Sequence, residues 1–225
     1  MVEIFTNSML KDWQLCQQKY YYKYIRKIFI PTKEENFALG KKVHALINYK
    51  LNNFDMDLME KTANQEVLHH YHSLLKHPLL QQKCFLSEWG FSVNIKDTQN
   101  LFMGRIDAIF FDEKSNKYTI ADWKTGMKIP ENPILDLQAQ IYLYAFLKAQ
   151  KDLNIEIKAE DLKFTFVKSP DLQETSINFS QELFEKFENN FIKTINEIQK
   201  YKHSTIIEEK NHCKFCEYKF ICQKQ

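Results

Sequence analysis

The chain has 225 residues, a formal net charge of +2 and an aromatic content of 14%. That length supports one sizeable core. The aromatic content excludes a disordered chain, and the near-zero charge excludes a global basic field, so any nucleic-acid contact must come from a local patch. The start lacks a basic region followed by an apolar stretch, and the longest apolar run, Ile141–Leu147, is too short to span a bilayer. These features predict a cytoplasmic, reducing setting without a membrane partner. In such a setting the five cysteines, at 16, 84, 213, 216 and 222, are not expected to build a disulfide framework.

Ser8–Lys27 reads as a first helix, capped by Ser8, with Cys16 in its middle and Leu10, Trp13, Leu15, Tyr20, Tyr24 and Ile25 on an apolar face. Its second half interleaves aromatic and basic side chains. Lys19, Tyr20, Lys23, Arg26 and Lys27 are candidates to stack bases and hold phosphates, against the alternative of a core stripe with snorkelling lysines. After Pro31, Lys33–Asn53 is expected to be helical, with Phe37, Val43, Leu46, Ile47 and Tyr49 inward and His44 on it. Met56–Lys76 follows as a third helix, ended by His77-Pro78. His69, His70, His72 and His77 have no ligand-like spacing and read as surface residues.

Cys84–Ile95 reads as a strand, with Cys84 buried rather than liganding and Glu88 directed either to a site or to a salt bridge. Leu101–Phe111 and Tyr118–Trp123 form a hairpin around a polar turn. Asp122 and Lys124 are two apart and leave one face of the strand, while Trp123 points into a core. Asp107 on the partner strand can lie across from them. Two carboxylates there make a hard oxygen site for Mg²⁺ or Mn²⁺, and the lysine can stabilise charge on a phosphate. A surface ion pair is the bland alternative. Leu135–Lys151 is a periodic helix that puts Gln138 and Tyr142 on one face. Leu162–Lys168 is a strand, Glu174–Phe179 an edge strand and Ser180–His203 a long amphipathic helix. The expected fold is a single α/β unit over 1–225: a helical part (1–80), a sheet core (81–180), and a C-terminal helix with a cysteine tail (181–225).

Cys213, Cys216 and Cys222 supply three thiolates in a compact tail, and Cys16 is the natural fourth. Such a set suits a tetrahedral zinc or a cubane cluster, and spacing leaves the two open, with His212 able to replace one ligand. Either would tie the first helix to the tail.

Taken together these pieces resemble the RecB/AddB-type branch of the PD-(D/E)XK nuclease superfamily, and the small CRISPR-associated adaptation nucleases within it. The resemblance lies in the Cys16 helix, Leu39-Gly-Lys-Lys-Val-His44, the G-x-x-D of Gly104–Asp107, the D-x-K-T-G of Asp122–Gly126, the Q-x-x-x-Y of Gln138–Tyr142, and the Cys213, Cys216, Cys222 triplet. Each motif alone is weak; six in order are specific. Gln17 follows Cys16 where the family often has proline, which changes a turn and not a ligand. The resemblance implies a restriction-endonuclease-like core with a mixed central sheet flanked by helices. It implies a [4Fe–4S] cluster on the four cysteines rather than zinc. It implies a metal held by His44, Asp107, Asp122 and the Trp123 carbonyl, and catalytic roles for Asp107, Asp122, Lys124, Gln138 and Tyr142. The expected activity is Mg²⁺- or Mn²⁺-dependent hydrolysis of DNA, at single-stranded regions or ends, by an exonuclease more than an endonuclease, leaving a 5′-phosphate and a 3′-hydroxyl. Protein partners in a repair, recombination or CRISPR adaptation complex would fit, and the length favours a free-standing nuclease over a helicase subunit. A non-catalytic DNA-binding adaptor and a zinc-stapled structural subunit are the alternatives.

Overall fold

The computed structural model describes residues 3–31, 35–126, 128–201 and 211–222, with the side chains of 35–37 left aside; the inward expectation for Phe37 and the helix end at His203 lie outside the described residues. A short strand β1 (Ile4–Phe5) opens the chain, followed by α1 (Asn7–Leu15), α2 (Gln17–Tyr20) and a π-helical turn (Tyr21–Ile25). Next come α3 (Glu35–Leu51), α4 (Asp57–Thr62), α5 (Gln65–Leu74), and the strands β2 (Cys84–Asn94), β3 (Leu101–Asp112) and β4 (Lys117–Lys124). The helix α6 (Leu137–Lys148), strands β5 (Leu162–Lys168) and β6 (Gln173–Asn178), and helices α7 (Gln181–Lys200) and α8 (Lys219–Cys222) complete it.

The six strands form one mixed sheet. β2, β3 and β4 are antiparallel neighbours, β4 and β5 run parallel, and β6 returns antiparallel on β5. β1 and β4 both pair with β3, at opposite ends: β1 at Leu101 and Phe102, β4 only from Ala108 onward. β4 meanwhile stays with β5 as far as Lys124 opposite Lys168. The sheet therefore splays between β3 and β4 just where Asp107, Asp122 and Lys124 emerge. Helices cover both faces, as the sequence predicts. One core joins the sheet to α1, α6 and α7 through residues such as Trp13, Tyr144, Phe146 and Phe191. The other packs Val43, Leu46, Ile47, Tyr71 and Leu74 of α3 and α5 on Ala108, Phe110, Ala121 and Trp123. Trp123, 2% exposed, is the inward residue of its strand.

Several elements differ from expectation. The first helix starts at a Thr6 cap, whose side chain accepts from the Met9 amide. It breaks at Cys16, whose backbone is extended (φ −163°, ψ 112°) while its N–H still bonds the Asp12 carbonyl and its own carbonyl accepts from Tyr20. The face drawn for an unbroken helix fails there, so Leu15 and Ile25 are 45% and 56% exposed. The third helix is two, separated at Ala63 and Asn64, where the Asn64 side chain caps α5. Leu135 belongs to a short turn before α6, which Asp136 caps with bonds to the Gln138 and Ala139 amides. His70 and His77 are not surface residues. His70 bonds Ser169 Oγ at 2.8 Å and His77 meets Glu174 at 3.3 Å, and both are buried. Tyr49, expected inward, is 36% exposed.

Candidate active site

The site gathers at the splayed end of β3 and β4. Period-two alternation sends Asp122 and Lys124 to the α6 side, where the Lys124 ammonium lies 2.6 Å from Asp122 Oδ2. Lys124 also donates to Gln138 Oε1 at 3.0 Å. Gln138 Nε2 donates to Asp122 Oδ1 and, at 3.1 Å, to the Tyr142 hydroxyl. Gln138 and Tyr142 are one helical turn apart on α6, so the Q-x-x-x-Y spacing delivers both to one point. Asp107 Oδ2 accepts the Trp123 amide at 2.9 Å, taking over from the strand ladder where β4 leaves β3.

His44 arrives from α3. Its Nε2 donates to the Trp123 carbonyl at 2.9 Å and its Nδ1 lies 3.4 Å from Asp107 Oδ2. Gly40, one turn earlier, lets α3 come this close, because a Cβ there would stand 3.2 Å from Thr125 Oγ1. Glu88 completes the mouth. It stands on β2 between the paired residues Ser87 and Trp89, with a left-handed backbone (φ 47°) that a non-glycine residue rarely adopts. Its carboxylate meets Arg105 at 3.2 Å, and one donor atom each from His44, Glu88 and Asp107 lie within 4.8 Å of one another. Sequence reading left Glu88 between a site and a salt bridge; the geometry gives it both contacts. The cleft, about 1060 Å³, is also lined by Lys41, Asn48, Tyr49 and Thr125.

The electrostatics are those of a site with surplus negative charge. Burial and the neighbouring Asp107 raise the Asp122 carboxyl above its usual range, only partly offset by Lys124 and His44. Burial opposes charge on His44, but its bond to Asp107 and the field of Asp122 outweigh that and push its pKa up to about 9. Burial and the two carboxylates hold Tyr142 neutral, far above its usual range. Asp122 Oδ2 is fully buried and makes no hydrogen bond of good angle, despite the ion-pair distance to Lys124. An orphaned carboxylate oxygen, a second carboxylate, a main-chain carbonyl and an imidazole fit a small divalent cation.

The four site cysteines come from both ends of the chain. All are half-buried, and none is in a disulfide. Burial first, then the nearby Cys216, Cys16 and Cys213, raises the Cys222 thiol; burial and Cys16 act likewise on Cys216. The tail is docked on the first helices by other bonds as well. Lys19 bridges Glu217 at 3.1 Å and Asp12 at 3.2 Å, Tyr218 donates to the Ile28 carbonyl at 2.9 Å, and Tyr22 and Tyr218 stack. Cys84 stands apart; its thiol donates to the Leu86 carbonyl at 3.3 Å, and burial pushes it up to about 11.

The aromatic-basic run does not present the surface expected of it. Tyr20 is 3% exposed, in edge contact with Trp13. Lys19 and Lys23 turn onto the buried Asp12, with Lys23 at 2.8 Å and the Tyr24 hydroxyl at 2.8 Å. Desolvation would keep Asp12 protonated, yet these donors hold it below the usual carboxylate range. Only Arg26 and Lys27 of the five candidates stay exposed.

A profile of the PD-(D/E)XK nuclease superfamily matches residues 5–223. No curated protein matches the chain in sequence. Among solved structures, one from Eubacterium rectale, whose description suggests an exonuclease, is 10% identical with a TM-score of 0.58, covering 99% of this chain and 88% of its own. The protein SSO0001 is 18% identical over 96% of this chain and 94% of its own, at a TM-score of 0.42, too low to carry an argument. The first of these likenesses speaks for the fold alone. The family profile spans nearly the whole chain, including every residue of the cleft just described, and the chain therefore belongs to the PD-(D/E)XK nuclease superfamily.

Proposed function

We propose that the protein is a Mg²⁺- or Mn²⁺-dependent deoxyribonuclease of the RecB/AddB-type branch, acting as an exonuclease on single-stranded DNA or DNA ends. The observation that carries this reading is the meeting of two pairs from three separate elements: His44 Nδ1 stands 3.4 Å from Asp107 Oδ2, and Lys124 stands 2.6 Å from Asp122 Oδ2, an oxygen without a hydrogen bond, with Asp107 and His44 near enough to act on the Asp122 charge. A divalent cation bound there would polarise the scissile phosphate and lower the pKa of water. His44, Asp107, Asp122 and the Trp123 carbonyl would hold it, and the imidazole favours Mn²⁺ over the all-oxygen preference of Mg²⁺. Glu88 stands at the same mouth as a further oxygen donor. Lys124 neutralises charge that builds on the phosphate oxygens, and Gln138 fixes the Lys124 ammonium and Asp122 at one geometry. Tyr142, kept neutral, orients Gln138 from the next turn.

For Cys16, Cys213, Cys216 and Cys222 we propose a structural [4Fe–4S] cluster. What supports a shared site is that Cys16, Cys213 and Cys216 stand near enough to raise the Cys222 thiol, where the tail meets the first helices.

The test is cleavage of single-stranded and duplex DNA by anaerobically purified protein, with Mn²⁺ or chelator. Metal-dependent cutting that Asp122→Ala abolishes supports the reading, as does brown protein absorbing near ~400 nm for the cluster. Cutting at wild-type rate by folded Asp122→Ala would overturn the assignment, and DNA binding without any cutting would favour an adaptor. Colourless protein that cuts would move the cysteines to zinc or to an empty site.

A further inference from the structure

Three phenylalanine rings stand almost clear of the surface at the cysteine-bearing end of the molecule. Phe29 is 84% exposed, Phe215 91% and Phe220 77%. They belong to segments far apart in sequence that one buried tyrosine pins together. Tyr218, between Phe215 and Phe220, donates to the carbonyl of Ile28, next to Phe29, at 2.9 Å, and stacks on Tyr22 with ring centres 5.9 Å apart. A phenylalanine offers about 150–250 Å² of apolar surface, so three together far exceed a stray surface residue.

The charges that neighbour the rings in sequence are positive, Glu217 apart. Arg26 and Lys27 precede Phe29, and Lys214 and Lys219 neighbour Phe215 and Phe220. Among the described residues no carboxylate pairs with these four cations. Glu217, the acid of the described tail, is taken up by Lys19 at 3.1 Å.

We propose that this face is a stacking platform for single-stranded nucleic acid, with Phe29, Phe215 and Phe220 against bases and the four cations on phosphates. Rings this exposed offer their faces to a planar partner, whereas a docked helix needs a concave groove. A second copy meeting the same face would set cations against cations. The platform replaces the buried Tyr20 and the paired Lys19 and Lys23 as the strand-holding surface. The inference rests on the nucleic-acid part of the proposed function and not on its chemistry.

The experiment is anisotropy of a labelled oligothymidylate in chelator, where no cleavage intervenes, with cluster absorbance and melting temperature recorded for each protein. Phe215→Leu, Phe220→Leu and Phe29→Leu should each weaken binding by about 5- to 150-fold, the range of one lost base–aromatic stack. Phe215→Trp should keep wild-type affinity, because a ring and not apolar bulk is required. With Mn²⁺ the leucine variants should raise KM and leave kcat unchanged. Wild-type affinity in the leucine variants overturns the platform. So does a shift of oligomeric state in those variants with DNA binding unchanged, which would make the face a protein interface. Failure of the nuclease reading looks different: no protein would cut DNA, while the ring dependence of binding would remain.

Discussion

Replacing Gly104 with alanine probes the packing beneath the Gly104–Asp107 segment. A Cβ at Gly104 would stand 2.6 Å from Cζ and 2.9 Å from Cε1 of Phe91, against ordinary contact from 3.4 Å outward. The ring must therefore withdraw by about 0.8 Å at its tip, the shortfall from normal van der Waals contact. A ring tip moves cheaply in open space, but Phe91 is 5% exposed and has Trp89 at 5.8 Å and Tyr142 at 5.9 Å. Overpacking of this kind costs about 1–3 kcal/mol. At about 2–4 °C per kcal/mol for a chain this long, the melting temperature should fall by roughly 2–12 °C. Circular dichroism melting in chelator is the assay, since a bound metal would add its own stabilisation. Phe91→Leu removes the ring tip, so the double variant should be less destabilised than the two singles together by about 0.5–3 kcal/mol. A Gly104→Ala protein that melts with the wild type, or strict additivity with Phe91→Leu, would refute the reasoning. Because Phe91 leans on Tyr142, Gly104→Ala should also slow cleavage, though less than loss of Asp122 does.

Other perturbations separate chemistry from scaffold. Lys124→Ala should lower kcat by about 10²–10³-fold with the circular dichroism spectrum unchanged. Gln138→Ala, which frees both Lys124 and Asp122, should lower metal-dependent activity by about 10–100-fold. Asp122→Asn should raise the melting temperature of metal-free protein at pH 8. Its folded pKa is raised, so the charged carboxylate loses stability as pH climbs above the unfolded value of 3.8, and the gain should vanish near pH 4. Glu174 has the opposite sign. Burial would raise it, but Ser176, Thr165 and Lys163 hold it down to about 2, so its contribution is present above 4.5 and fades as pH falls toward 2. Being 36% exposed, it is worth at most about 1 kcal/mol after solvent screening. Glu174→Gln should thus melt slightly below wild type at pH 7 and with it at pH 2, which melting curves at the two pH values check.

The parts of the site that were legible in the sequence are those set by local period. The alternation of Asp122, Trp123 and Lys124, the hairpin that carries Asp107, and the helical turn joining Gln138 to Tyr142 follow from geometry within one or two elements. His44 was legible only through the resemblance, because a lone helical histidine has no local signature, and its partners lie 63 and 79 residues away in Asp107 and Trp123. β1 was invisible for a related reason: two residues have no periodicity, and its parallel partner is Leu101. The same logic explains the errors. The Lys19–Lys27 run has equal claims to core and surface when read alone. Asp12 decides between them, since a buried carboxylate must gather donors, and it takes Lys19, Lys23 and Tyr24. His70 and His77 were misread in the same way, because their partners Ser169 and Glu174 are 99 and 97 residues distant. Local pattern gives a side chain its direction, and a distant polar partner gives it its environment. The exposed rings at the cysteine end complete that argument. Once Asp12 and Glu217 have neutralised Lys19, and Asp12 has also drawn in Lys23, the cations of that run left exposed for a phosphate backbone are Arg26 and Lys27, beside the exposed ring of Phe29.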